Sequence, residues 1–496
     1  GGAVTQVADK ALEVTGATSV DAGANAVTLA NANNDFGSIG VTAGAASITD
    51  KNAVALDTIK AASLNVKAVG AVTQVAEKAL EVTGATTVDA GANAVTLGNA
   101  GNDFNTVAIT AGAASITDKN AVALDNIKAT SLTVKAGGDV SQVADKALDV
   151  TGATSVDAGA NTVTLANAGN DFGRIGVIAG AASITDKDDV ALDEVKATSL
   201  TLKAGGSVTQ NAAATVTGAT SVDAKGFDVS LNNADNDFGS VGAIGNAVSI
   251  TDKNAVALDA INATSLTVKA GGAVTQNAAA TVSGATSVDA KGFDVSLDAK
   301  GNDLNTVSAN ANNLSIADGK GGVVLDQITA TGNTSVSSLG GASTQTEAGV
   351  IIATNGTTTL SASVEGIAAN VTLANVGNDF KSVGVTGNAV SITDKTGVAL
   401  DAITANSLTV NAGGDVTQNA AAAVAGVDSV DAGTTAVALT QAGNDFGNLG
   451  VTGGSVSITD TNAVALDAVK ANSLTVKAGG AVTQVADKAL EVTGAT

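Results

Sequence analysis

Cysteine, histidine, methionine, tryptophan, tyrosine and proline are all missing from these 496 residues, and Arg174 is the single arginine. Without histidine or cysteine the chain can form no Ser-His or Cys-His nucleophile–base pair. Its own side chains also offer no ligand set for structural zinc, haem or iron–sulfur clusters. The lack of tyrosine and tryptophan removes the rings that usually stack on sugars in a glycosidase cleft. The absence of proline suits a backbone in which nearly every N–H is needed by a ladder of hydrogen bonds. Lysine and arginine together number 24 against 47 acidic residues, a net charge of −23, and no basic cluster interrupts the acidity. Nucleic acid and anionic membrane surfaces are therefore disfavoured as partners. No apolar run approaches eighteen residues, which excludes a membrane-spanning helix.

What is present is repetition. Residues Gly1–Thr18 and Gly479–Thr496 are identical, the pattern expected of a stretch cut from a longer periodic array. Between them the phrase Gly-Gly-x-Val-Thr-Gln returns, with variations, at Gly137, Gly205, Gly271 and Gly413, in a degenerate copy at Gly340 and as Val-Gly at Val69. The chain therefore divides into copies starting near residues 1, 69, 137, 205, 271, 340 and 413, with an eighth opening at 479.

Val, Ile, Thr and Ala alternate with polar residues over four to six positions, and Gly, Asn and Asp interrupt them too often for helices. The best helical candidate, Val7–Val14, is replaced in later copies by residues 211–216, which carry no helical stripe. Each copy can be divided into thirds by a small phrase ending in aliphatic-Thr, which places Thr5, Thr28, Thr49 and Thr73 in one column. This predicts an all-β chain: one continuous parallel β-solenoid over 1–496, with about 22 residues and three short strands per coil, hence roughly 21–22 coils. Side-chain parity directs Val27, Leu29, Ile48, Leu64 and Val66 into a narrow core, with Thr28, Thr49 and Asn65 outward. Of the eight phenylalanines, Phe36, Phe104, Phe172, Phe238, Phe380 and Phe446 share an Asn-Asp-Phe corner where Leu304 stands in once, and Phe227 and Phe293 share Lys-Gly-Phe-Asp-Val. All are read as plugs of the core's corners.

Carboxylates, hydroxyls and lysines are the remaining chemical groups. Repeated aspartate pairs such as Asp50 with Asp57, Asp118 with Asp125 and Asp252 with Asp259 invite comparison with paired-carboxylate hydrolases, which need a cleft the sequence does not display. Acidic corners at 33–35, 235–237 and 302–303 offer oxygen ligands of the kind calcium prefers. Their spacing is neither that of an EF-hand nor of a calcium-binding β-roll, and turn geometry accounts for Asn and Asp there. A flat threonine face of the ice-binding kind would need Thr-x-Thr ranks, which are missing. No catalytic, cofactor-binding or metal-binding residue is assigned, no cofactor is expected, and calcium is kept as a minor alternative.

The phrases at residues 34–37 (NDFG), 46–50 (ASITD), 52–57 (NAVALD) and 131–138 (SLTVKAGG) resemble the β-strand repeats of very large bacterial exoproteins of the filamentous-haemagglutinin type. The resemblance covers essentially the whole chain and is weakest between Ser308 and Ala369. It implies a right-handed β-helix shaft outside a Gram-negative cell, secreted through an outer-membrane partner and carrying adhesive regions elsewhere. Partners would then be adjoining segments of the same long chain, neighbouring filaments, or a host or bacterial cell surface. The expected function is a non-enzymatic structural shaft or spacer. The alternatives are a glycan- or filament-binding solenoid face and a carbohydrate-active β-helix enzyme. Within 308–369 the copy lengthens, and residues 337–349 and 354–359 have the polar, Gly-rich character of turns that bulge from a coil whose path continues unbroken.

Overall fold

The computed structural model describes residues 1–494. They are all β, with about 26 turns of about 19 residues each. The chain divides into two compact units, Gly1–Gly245 and Asn246–Thr496, each a parallel β-solenoid in itself.

In the first unit one copy consists of seven strands: Val72–Gln74, Leu80–Asp89, Val95–Leu97, Asp103–Thr110, Ala113–Asp118, Val122–Ala129 and Ser131–Ala136. Each strand pairs in parallel with the strand two further along the chain: Val72 faces Val95, Val82 faces Phe104, Val95 faces Ala114, Val107 faces Leu124. A turn therefore holds two principal strands. Because seven is odd, one copy fills three and a half turns. Following facing residues makes this explicit, since seven steps lead from Val72 through Val95, Ala114, Leu132, Thr154, Ile175 and Leu192 to Gln210. Gln210 lies two residues beyond Val208, the counterpart of Val72 two copies later. Successive copies thus present the same phrase on opposite walls of the coil.

This corrects the expected 22 residues, three strands per coil and 21–22 coils. The threonine column holds only for its first step, Thr5 facing Thr28. Thr28 then faces Ser47, and Thr49 faces Lys67. Similar phrases misled the alignment because stacking demands only that apolar meets apolar on each face; neighbouring turns need not look alike.

The inward and outward assignment stands. Val27, Ile48 and Val66 are buried to within 1% exposure, while Asn65 is exposed. The six Asn-Asp-Phe phenylalanines and Leu304 are likewise no more than 2% exposed, filling a core otherwise made of small aliphatics. Phe227 and Phe293 depart from the expectation, at 50% and 52% exposure. Each follows a turn at Lys225-Gly226 or Lys291-Gly292 with both residues at positive φ, which places the ring outside the core. The Gly-Gly phrase marks a close approach of backbones: a Cβ on Gly138 would stand 2.7 Å from the Ala121 nitrogen of the preceding turn.

In the second unit the same count survives the lengthened stretch. Seven steps run from Val274 through Val295, Leu314, Thr334, Thr358, Val383 and Leu400 to Gln418, again two residues past the counterpart, Val416. The extra residues enlarge existing turns and add none. They leave the ladder as an antiparallel hairpin, in which Ser363 faces Ala368 and Val364 faces Ile367 across a two-residue turn with Glu365 and Gly366 at positive φ. Gly340 bridges to Val364 beside it. The coil thus passes through 308–369 unbroken, as expected.

Candidate functional site

The repeated polar residues are absorbed by the coil's own hydrogen bonds. The Gln of the Gly-Gly-x-Val-Thr-Gln phrase meets the Asn of the Asn-Asp-Phe phrase: Gln276 Nε2 donates to Asn302 Oδ1 at 2.9 Å, and Asn302 Nδ2 donates to Gln276 Oε1 at 2.9 Å. Asn302 also accepts from the Ala280 amide at 2.8 Å and donates to the Leu297 and Ala317 carbonyls. The arrangement recurs as Gln6 with Asn34, Gln74 with Asn102, Gln142 with Asn170, Gln345 with Asn378 and Gln418 with Asn444. Each Asn is fully buried. This pairing is absent from the sequence reading, although a constant separation of 28 residues in the first three copies is a signal for it.

The aspartates of the proposed pairs have separate structural duties. Asp118 is buried, accepting from the Phe104 amide at 2.6 Å and the Asn120 amide at 2.8 Å. Asp50, Asp186, Asp394 and Asp460 hold the corresponding phenylalanine amides. Burial pushes the Asp118, Asp186 and Asp318 carboxyls above the ordinary aspartate range, against the two backbone amides that hold each one. Their partners in the sequence pattern lie at the half-exposed surface, where Asp57 accepts from the Thr58 amide and Asp125 from the Asn126 amide.

At the acidic corners, Lys51 pairs with Asp35 at 3.0 Å and Lys119 with Asp103 at 2.9 Å. These lysine hydrogen bonds hold the Asp35 and Asp103 carboxyls below their usual value. The oxygens proposed for calcium at 33–35 and 302–303 are engaged with amide and ammonium donors: Asn34 and Asn302 within the coil, Asp35 at the surface. Among the described residues no group of three or more acidic side chains is placed to hold a metal ion. No helix is long and apolar enough to cross a membrane, which says nothing of spanning strands.

A row of inward-facing hydroxyls forms the other recurring feature. Leu64 faces Thr86, Leu132 faces Thr154, Leu200 faces Thr220 and Leu266 faces Thr286. Each of these threonine hydroxyls is buried and finds no hydrogen-bond partner within the chain. At the same place opposite Leu408 stands Asp428, only 1% exposed. No hydrogen bond of ordinary geometry reaches its carboxylate oxygens. Burial pushes its pKa up to about 8, outweighing the field of the Leu408 amide.

The family model described as repeats of unknown function (DUF5649) matches eight consecutive segments: 1–42, 43–111, 111–178, 179–244, 245–310, 311–386, 387–452 and 453–496. The chain belongs to this repeat family. No curated protein and no solved structure matches it.

Proposed function

We propose that the chain is a non-enzymatic shaft or spacer of a large secreted bacterial surface adhesin or filament. The observation that carries this reading is the use of the repeated polar side chains: the Asn, Gln and buried Asp of copy after copy bond to the coil itself. A ladder that returns to the same register every seven turns, even across an enlarged copy, suits a load-carrying spacer whose length scales with copy number. A place outside a Gram-negative cell, reached through an outer-membrane secretion partner, follows from the haemagglutinin-like phrases quoted above, and the lack of cysteine agrees with passage across a periplasm before folding.

The test uses the purified chain on intact cells and on an array of bacterial and host glycans, with a glycosidase substrate panel alongside. A shaft gives no saturable binding and no turnover. Saturable binding that is lost on altering one solenoid face would replace the shaft with a binding module, and turnover would replace it with an enzyme.

A further inference from the structure

The turns built from residues 323–373 have a thinner core than the turns on either side of them. Thr334 stands where Leu266 and Leu408 stand in the neighbouring copies, each at the same step of the ladder. Ser343 takes the place of Val274 and Val416, between Val323 and Val371. Ala353 faces Phe380 where Val424 faces Phe446. All three are buried, at no more than 3% exposure, so each change removes apolar volume from the interior. Two of them also bring hydroxyls inside: Thr334, Ser343 and the facing Thr358 are buried and without a hydrogen-bond partner in the chain. The same turns are the longest, since Ser343 faces Val371 and Ile352 faces Asp379, and the hairpin at Ser363–Ala368 hangs from them. Lost core volume, unpaired buried hydroxyls and longer closure each lower local stability.

We propose that residues 323–373 are the yield point of their unit, the segment that opens first under denaturant or tension while the turns on both flanks keep their ladders. Local opening in a stacked repeat array is governed by each turn's own stability and by its contacts with its neighbours, so a weak turn opens on its own account. The inference depends on the fold and not on the shaft role, and it holds or fails separately from that role.

The test is hydrogen exchange of the full chain in water, read by mass spectrometry on peptides covering 323–373 and the regular stretch 398–439. Amides in the first should exchange about tenfold faster than those in the second. The triple reversal T334L/S343V/A353V should bring the two together, with A353V alone closing part of the gap. Equal protection in the unaltered chain would overturn the proposal. So would a gap that persists in both reversals but vanishes when only the hairpin residues 364–367 are shortened, because loop length and not the core would then set the weakness.

Discussion

The copy spanning 311–386 and the regular copy spanning 387–452 share a ladder but differ in what they place inside it. In the regular copy Leu408, Val416 and Val424 fill the interior; in the enlarged one the same steps carry Thr334, Ser343 and Ala353. Yet Asn378 keeps its bonds to Gln345 and to the Ile351 amide, and Asp394 still holds the Phe380 amide. The corner network, which depends on direction, is retained, while the apolar filling drifts. Directional hydrogen bonds thus fix the register of a turn, and the volume of its core sets how firmly that register is held.

The largest expected effect comes from breaking the core of a regular copy. Val27→Asp or Ile48→Asp places an unpaired charge in a narrow apolar interior and should cost about 4–5 kcal/mol, unfolding at least the local turns. Thr28→Ser and Thr49→Ser, on the outward face, should stay within about 0.5 kcal/mol. Limited proteolysis of the two sets separates them, and equal resistance would reverse the assignment of faces.

Asp428 is the regular copy's own departure from its pattern, and it sharpens the comparison through pH. The unfolded aspartate ionises near 3.8 and the folded one at about 8. Between those values unfolding releases a proton, so stability falls as pH rises through the window and levels off above it. Asp428→Thr, restoring the residue of the other copies, should therefore raise the midpoint of this unit little at pH 4 and strongly at pH 8. The gain at pH 8 is on the order of 3–5 kcal/mol. A pH-independent gain in denaturant titrations would mean that Asp428 is not buried as an acid.

Asn302→Ala and Asn378→Ala probe what the two kinds of copy share. Each leaves a buried backbone amide and a glutamine unpaired, at a cost of about 2 kcal/mol. Similar losses are expected in both, and a much smaller loss at Asn378 would show that the enlarged copy has abandoned the network. The smallest effect is that of chelation. Because the corner oxygens at 33–35 and 302–303 are already engaged, excess chelator should leave the thermal midpoint unchanged; a fall reversed by added calcium would restore the metal reading.

The solenoid class and the inward residues were legible because period-two alternation survives in every strand, as at Val27-Thr28-Leu29. The turn length was not. Phrase similarity suggested that Thr49 sits above Thr28, whereas the ladder sets Ser47 there, and nothing in composition distinguishes a two-residue offset between small polar residues. The exposed Phe227 and Phe293 were misread because aromatic character outweighed the preceding Lys-Gly turn. The Gln–Asn pairing escaped notice because its members lie 28 residues apart in the first three copies, farther than one turn.

The half-turn alternation of copies is tested most directly by spin-label distances in this cysteine-free chain. Thr87, Ser155 and Ser221 are exposed counterparts in three successive copies of the first unit. With cysteines introduced pairwise and labelled, the 87–155 distance should clearly exceed half the 87–221 distance, because neighbouring copies face opposite ways while alternate copies face the same way. A 87–155 distance equal to half of the 87–221 distance would place all three on one line, and would contradict three and a half turns per copy.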